Sequence, residues 1–473
     1  MTAQTPSARW ALSALSLSMV MPSLDVSIAN VGLPTLARTF SASFQEVQWI
    51  VLGYLLAITS LIVSVGRLGD VVGRRRLLLI GVGLFTLASL LCGIAPTLSL
   101  LIAARVAQGL GAAIMMALTV ALVSETVPKA RTGSAMGLLG TMSAVGTTLG
   151  PSLGGVLIAG VSWRAIFLVN VPLGVLNLLL AQRYLPADRP SERTERVGFD
   201  NLGTVLLALT LAAYALGMTL GRGSFGRLNL ALLLGASFGV GLFVLAEARA
   251  ASPLIRLALF YNPVLSASLA TGTLVSTVMM ATLVVGPFYL SRALGLEAAA
   301  VGFILSVGPL VAALTGVPAG RFVDRFGAQR MIVVGLSGMA TGSLVLSLMP
   351  ASLGIAGYVA PIVVLTSGYA LFQAANNTAV MMQIPPDQRG VISGMLSLSR
   401  NLGLITGASV MGAVFSCAAL ASATGGITTA RPEAVAMGMR VTFAAATVLV
   451  VSALAMALVS RMFGARRSLL GDT

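Results

Sequence analysis

Gly66–Arg76 reads GRLGDVVGRRR, and Gly320–Arg330 reads GRFVDRFGAQR. In both, an aspartate (Asp70, Asp324) follows the first glycine by four positions, and a second glycine (Gly73, Gly327) follows the aspartate by three. Each stretch comes after the second apolar run of a series of six, where a short loop is expected. A signature that recurs at equivalent places in two such series is the weak internal repeat of a membrane transporter built from two halves. Glycine lets the backbone turn tightly between helices. The aspartate can accept hydrogen bonds from helix-terminal amides or from nearby arginines and so latch one conformation. Gly66, Asp70, Gly73 and Arg74, with Asp324 in the second copy, are therefore candidate gate residues. An ordinary basic loop would account for the arginines alone, but not for the repeated Gly–Asp–Gly frame.

Composition fixes the class around this repeat. The 473 residues are 57% hydrophobic and 9% charged, where soluble domains carry about 25% charged residues. An all-α membrane protein follows. A bilayer span needs about 20 apolar residues, and fourteen runs qualify: 11–34, 46–66, 77–95, 98–123, 133–159, 165–183, 200–220, 228–248, 264–290, 299–319, 331–349, 354–382, 391–420 and 436–460. Basic residues gather in alternate connections, at Arg9, at Arg67 and Arg74–Arg76, at Lys129 and Arg131, at Arg183, Arg189, Arg193 and Arg196, and at Arg321, Arg325 and Arg330. This bias predicts a multi-pass protein of the cell (inner) membrane with both termini in the cytoplasm. Two six-span halves, 1–183 and 264–473, then flank an insertion, 184–263, made of a polar linker and two further spans.

The same numbers exclude other classes. The net charge of +15 does not form the basic stripe with interleaved aromatics that nucleic acid needs, so no nucleic-acid partner is expected. Histidine is absent, which removes the commonest general base and metal ligand. The acids lie mostly in connections, so neither an enzyme, a metal nor an organic cofactor is expected. Cys92 and Cys417 each sit inside an apolar run and read as packing residues. The first apolar run is too long for a signal peptide and ends at Pro34 rather than at a small-residue cleavage site.

Leu24–Pro34, LDVSIANVGLP, carries the carboxylate placed deepest in a span. A charge there costs about 2.5–3.5 kcal/mol on insertion scales and usually marks a pathway or proton site. Asp25 is thus the candidate proton carrier, because a carboxylate that alternates between wet and dry surroundings can bind a proton in one and lose it in the other. A structural carboxylate bonded to Asn30, Ser23 or Ser27 is the alternative. Arg105 in the fourth span needs a carboxylate or several acceptors, and shares a helical face with Gln108. Pairing with span one is one reading, and snorkelling to the headgroups is the other. Gly146, Gly150 and Gly154 recur every four residues as a flat face for close helix contact, and Pro151 permits a bend. In the second half, Tyr369, Phe372, Gln373 and Asn376 share a face suited to a flat or amphipathic ligand, or to joining helices. Arg400 lies in a span with no deep acid in its own half, which leaves anionic substrates open alongside cations.

These stretches resemble one family. GRLGDVVGRRR resembles the signature loop of the major facilitator superfamily. Arg105–Ala113, RVAQGLGAA, is similar to the fourth-span motif of its proton-coupled members, and Gly146–Gly155, GTTLGPSLGG, matches its fifth-span antiporter motif. LDVSIANVGLP with Gln48, Trp49 and Tyr54, and Trp163–Gly174, WRAIFLVNVPLG, resemble the fourteen-span drug:proton antiporters in particular. The resemblance implies the major facilitator fold with two additional helices, and proton-coupled export of small organic compounds, drugs or toxic metabolites, by alternating access. It also implies Asp25 and Arg105 as the coupling pair, Gly146, Gly150, Pro151, Gly154 and Gly155 as the antiport element, and a substrate cavity involving Asn30, Tyr54, Gln108, Tyr369, Phe372, Gln373, Asn376 and Arg400. Protons would be the only coupling species, and the expected unit is a monomer in the lipid bilayer. An uptake permease, or a membrane scaffold or receptor without transport, are the competing functions.

Overall fold

A computed structural model of the chain describes residues 6–126, 132–188, 201–220, 226–250, 260–382, 389–420 and 430–470. Among these residues the regular structure is helical throughout, and 14 helical segments are long and apolar enough to cross a membrane. In chain order the helices are α1 (Pro6–Thr39), α2 (Phe44–Val72), α3 (Arg74–Ile94), α4 (Leu98–Thr126), α5 (Thr132–Gly160), α6 (Ala165–Leu168) and α7 (Asn170–Tyr184). They continue as α8 (Asn201–Thr219), α9 (Arg227–Arg249), α10 (Pro263–Phe288), α11 (Ala298–Phe326), α12 (Ala328–Leu348), α13 (Gly354–Met381), α14 (Arg389–Thr406), α15 (Gly412–Leu420) and α16 (Pro432–Leu470).

The repeat seen in the sequence has a common geometry. α2 and α11 are each 29 residues long, and α3 and α12 are each 21. The two pairs are joined by a single glycine, Gly73 at φ +98° and Gly327 at φ +85°. Positive φ is strained for any residue with a Cβ, so this glycine is where both helices stop. The expectation of a loop around Asp70 and Asp324 is corrected accordingly: both aspartates sit in the last turn of a helix, and the loop is one residue long.

The sixth span is two pieces, α6 and α7, divided at Val169. Pro172 has no amide to give the Leu168 carbonyl, so the helix breaks at that point. A five-residue π-helical turn, Gly407–Met411, likewise interrupts the thirteenth span between α14 and α15.

α1 lies along α5 and also touches α4 and α7, while α2 packs on α4 and α3 on α4 and α7. In the second group α10 packs on α14 and α16, and α13 on α11 and α12. The inserted α8 sits against α2, where Trp49 Nε1 donates to Thr219 Oγ1 at 3.0 Å and the Ser64 and Thr204 hydroxyls meet at 2.8 Å. α9 packs on α8 and exposes Leu228, Leu234 and Phe238, as a lipid-facing helix does.

The two six-span groups meet at the end of the bundle where α1 finishes and α2 begins. There the Phe44 ring stands edge-on to Phe288 at 4.7 Å and to Phe415 at 5.3 Å. Gln45 donates to the Ser416 hydroxyl, and Gln48 Nε2 donates to the Ala408 carbonyl at 2.7 Å. That carbonyl lies in the π turn, where the altered backbone register leaves acceptors outside the regular helix ladder. On the opposite flank α5 crosses α11 with Gly155 against Gly302.

Candidate functional site

Asp25 lies midway along α1 and is fully buried. It accepts hydrogen bonds from three side chains on two other helices. Arg105 of α4 donates to Oδ2 and forms the buried ion pair. Gln108 Nε2 and Asn170 Nδ2 each donate to Oδ1 at 2.9 Å. A buried charge is tolerable only when it is paired and its lone pairs are satisfied, and both conditions are met.

Arg105 is held from several sides. Its Nε donates to the Ile50 carbonyl of α2 at 3.0 Å, and its Nη1 also donates to Gln108 Oε1 at 2.6 Å. The guanidinium carbon stands 4.3 Å from the centre of the Tyr54 ring, a cation–π arrangement that is strengthened by burial. Tyr54 in turn donates from its hydroxyl to the Pro22 carbonyl at 3.4 Å, beside Asp25 on α1. Gln108 further donates to the Ser89 hydroxyl of α3 at 2.8 Å. Five transmembrane segments, α1, α2, α3, α4 and the α6–α7 pair, thus converge on one charge pair.

The spacing of α4 creates this arrangement. Arg105 and Gln108 are three residues apart, so both point to the same side of the helix. The snorkelling alternative for Arg105 is not what the fold shows: its side chain has no exposure. Nor do Ser23, Ser27 or Asn30 bond Asp25. Ser23 donates to the Met19 carbonyl and meets Ser143 of α5 at 2.7 Å, Ser27 donates to the Ser23 carbonyl at 3.0 Å, and Asn30 donates to the Val26 carbonyl at 2.7 Å. Short polar side chains in a helix reach back to the preceding turn more easily than across to a neighbour.

Asn170 was not singled out in the sequence. Its signal was available: an amide in an apolar span, two residues before the proline that breaks that span. The break places the start of α7, and with it the amide, against α1.

The glycine motif is built around the same stretch of α1. A Cβ on Gly146 would lie 2.6 Å from the Val20 carbonyl oxygen, and one on Gly154 would lie 2.7 Å from Ile28 Cγ1. Gly150 lies between them, against Ser27 and the Ile28 amide. The three therefore form the floor on which the Asp25 segment rests. Gly155 points the other way, and Pro151 and Gly155 together abut Gly302 of α11.

The remaining candidates are not gathered into this cluster. Asn30, Tyr54 and Gln108, expected on the cavity wall, are buried; Gln108 gives its amide to the charge pair and Tyr54 its ring face. On α13, Phe372 and Asn376 are buried while Tyr369 and Gln373 are half-buried. The expected four-residue face is thus divided, because the close α12–α13 crossing, with Gly335 against the Phe372 backbone, covers one edge of it. Arg400 is exposed on α14.

Of the gate candidates, Gly66 lies within α2, the Asp70 side chain is outside what the structure describes, Arg74 is half-buried at the start of α3, and Asp324 is exposed. The carboxylate that caps α3 is Asp188, from the linker after α7. It accepts from the Arg75 amide at 2.8 Å and the Arg76 amide at 3.1 Å, at the positive end of the helix dipole. Arg75 also donates to the Gln182 carbonyl. Asp188 Oδ2 lies 2.5 Å from where a Cβ on Gly73 would stand, so this glycine provides both the turn and the room for the cap. Among the described residues no three His, Cys, Asp or Glu side chains gather as a metal site would require.

Comparison with known proteins identifies the fold. The family model described as Major Facilitator Superfamily matches residues 15–408. Multidrug resistance protein Stp of Mycobacterium tuberculosis is 34% identical over 414 residues, covering 85% of this chain and 75% of that protein. Drug efflux pump JefA of the same species is 34% identical over 426 residues, covering 87% and 81%. Riboflavin transporter RibZ of Clostridioides difficile is 29% identical over 401 residues, covering 85% and 87%. Among solved structures, an inward-facing, occupied bacterial homologue of the human lysosomal transporter Spinster aligns with a TM-score of 0.71 at 17% identity, over 97% of this chain and 98% of that one. The helical architecture, the repeated two-helix unit and these matches agree: the chain belongs to the major facilitator superfamily and is a multi-pass membrane transporter.

Proposed function

We propose that the protein exports small organic compounds, drugs or toxic metabolites, in exchange for protons, by alternating access between two six-helix halves, 1–183 and 264–473, with 184–263 as the insertion. The observation that carries this is the dry Asp25–Arg105 pair in the first half. The names of the relatives Stp and JefA supply the substrate class and the direction. With the amino terminus in the cytoplasm, the end sealed by Phe44, Phe288 and Phe415 is the outer one.

Ionised Asp25 binds α1 to α4 and α7 through three donors. A proton on its carboxyl cancels the ion pair, weakens the attraction to Arg105, and loosens α1 from its neighbours. Arg105 retains the Ile50 carbonyl, Gln108 Oε1 and the Tyr54 ring, so it remains in place when the proton arrives. The change passes to α5 through the glycine floor and from α5 to α11 through the Gly155–Gly302 crossing, which belongs to the interface between the halves. Proton and substrate are coupled when each favours the opposite conformation of this assembly. Half-buried Tyr369 and Gln373, with exposed Arg400, are the second-half side chains placed to meet a substrate. The protein functions as a monomer in the cell membrane with protons as its only coupling species.

The test is transport by purified protein in liposomes with an imposed pH gradient, offered lipophilic cations, neutral drugs and organic anions in turn. Gradient-driven accumulation of at least one class, abolished by Asp25→Asn, is expected. Accumulation that ignores the gradient would argue instead for a facilitator. The match to a riboflavin transporter favours a second reading, carriage of a single metabolite, which predicts that flavins alone among the compounds are moved.

A further inference from the structure

Asp25 has no exposed surface, and every side chain that bonds it belongs to the first half. A proton must nevertheless reach it. Of the polar groups around it, those between α1, α3 and α7 form a line that leads away from the carboxylate.

That line runs down the contact between α1, α3 and α7. α1 and α7 are antiparallel, with Asn170 beside Asp25 and, seven residues along each helix, Asn177 beside Ser18. Asn177 Nδ2 donates to the Ser18 hydroxyl at 2.8 Å. Between the two asparagines, Gly174 leaves room for the Thr86 hydroxyl of α3, which a Cβ at that position would strike. Polar groups therefore follow Asp25 at Asn170, Thr86, Asn177 and Ser18, about one per helical turn over about 10 Å. Ser18, Asn170 and Asn177 are fully buried, and Thr86 is 8% exposed.

Two of these groups have unused capacity. Asn170 Oδ1 and Asn177 Oδ1 are buried without a hydrogen-bond partner among the described residues, as is Arg105 Nη2 at the head of the line. A buried amide oxygen left unbonded costs about 1–3 kcal/mol, and internal water bonded to several such groups is the usual remedy. Beyond Ser18 the contact runs on for eight residues, about 12 Å, past buried Ala11, Ala14, Leu15 and Ala181, and ends with Trp10 stacked on Tyr184 at 5.9 Å, at the end of the bundle opposite the aromatic seal.

We infer that this seam is the inner part of the proton route to Asp25: internal waters held by Asn170, Thr86, Asn177 and Ser18 relay protons between the carboxylate and the level of Ser18, and the apolar stretch from Ser18 to Trp10 and Tyr184 parts to admit water from that end of the bundle. The inference rests on Asp25 being the proton site. The asparagines hold the waters and keep their own protons. The Ser18 and Thr86 hydroxyls donate to the Ala14 and Val82 carbonyls and serve the waters as acceptors; each water accepts one proton as it passes another on, so the carboxylate gains one proton, the bulk water at the far end loses one, and nothing else changes. The proton then travels inside the first half, apart from the space between the halves where substrate would pass. Asn177, Thr86 and Ser18 are positioning residues in this scheme, and none of them bonds Asp25.

The test is time-resolved infrared spectroscopy of the purified full-length protein after a pH jump, following the Asp25 carboxyl band identified by its loss in Asp25→Asn. Asn177→Leu and Thr86→Val, the latter keeping the shape of the side chain, should each slow protonation of Asp25 by about tenfold or more, while Asn177→Ser restores much of the rate. Unchanged rates in both apolar variants, with wild-type thermal unfolding, would overturn the seam and leave the proton site standing. Absence of any titrating Asp25 band in the wild type would overturn both.

Discussion

The Asp25–Arg105 pair can be tested by taking it apart one charge at a time. Arg105→Met leaves Asp25 Oδ2 without its donor, although Gln108 and Asn170 still serve Oδ1. Asp25→Asn leaves the guanidinium with the Ile50 carbonyl, Gln108 Oε1 and the Tyr54 ring. Removing one partner of a buried pair costs about 3–5 kcal/mol. Because both orphaned charges keep some partners, about 3 kcal/mol is expected for each single variant. The double variant contains neither charge, so its loss should not exceed that of either single variant. The coupling energy should then be about 3 kcal/mol or more. Denaturant-titrated unfolding in bicelles, followed by tryptophan fluorescence, gives the three differences; Trp163 is a suitable reporter because it packs against Phe40 and Phe167. Losses that add to within about 0.5 kcal/mol would show that the two charges do not depend on each other, and the reasoning about the site would be wrong.

Other parts of the structure make smaller claims. Asp188→Ala removes the carboxylate from the α3 amides and should cost about 1 kcal/mol, seen as faster hydrogen exchange at Arg75 and Arg76 with little change elsewhere. Gly73→Ala combines positive φ with a collision against Asp188 and should destabilise by about 1–2 kcal/mol, whereas Gly73→Ala with Asp188→Ala should recover the steric part; thermal unfolding of the two variants decides this. Gly150→Leu drives a side chain into the Ser27–Ile28 backbone and should lower stability by about 1–3 kcal/mol while abolishing gradient-driven transport; retention of transport would show that α5 need not lie so close to α1. Gln48→Ala removes the bond to the Ala408 carbonyl, and spin labels placed across the sealed end should then report a larger population of open distances.

Much of this architecture was legible in the chain. Fourteen apolar runs and a doubled Gly–Asp–Gly frame were sufficient for the helices and their repeat, because helix length and tight turns are local matters. Asp25 and Arg105 were visible because a charge in an apolar run is costly and needs an explanation. Their partners were harder to see. Asn170 depends on how a proline break aims α7 at α1, and Asp188 depends on a linker folding back on a turn more than a hundred residues earlier; neither is expressed in local spacing. The α13 face failed as a single cavity wall for a related reason. Helical spacing shows which side chains share a face, but only the neighbouring helix, here α12, determines how much of that face remains open.

In the proposed antiport cycle, Asp25 exchanges its proton against substrate. This exchange is tested most directly by adding ethidium, a lipophilic aromatic cation, to purified protein in weakly buffered solution and recording proton release with a pH dye alongside binding. The wild type should release protons as ethidium binds, and Asp25→Asn should bind ethidium but release none. Equal release from both proteins, or ethidium binding to the wild type with no release, would contradict the exchange.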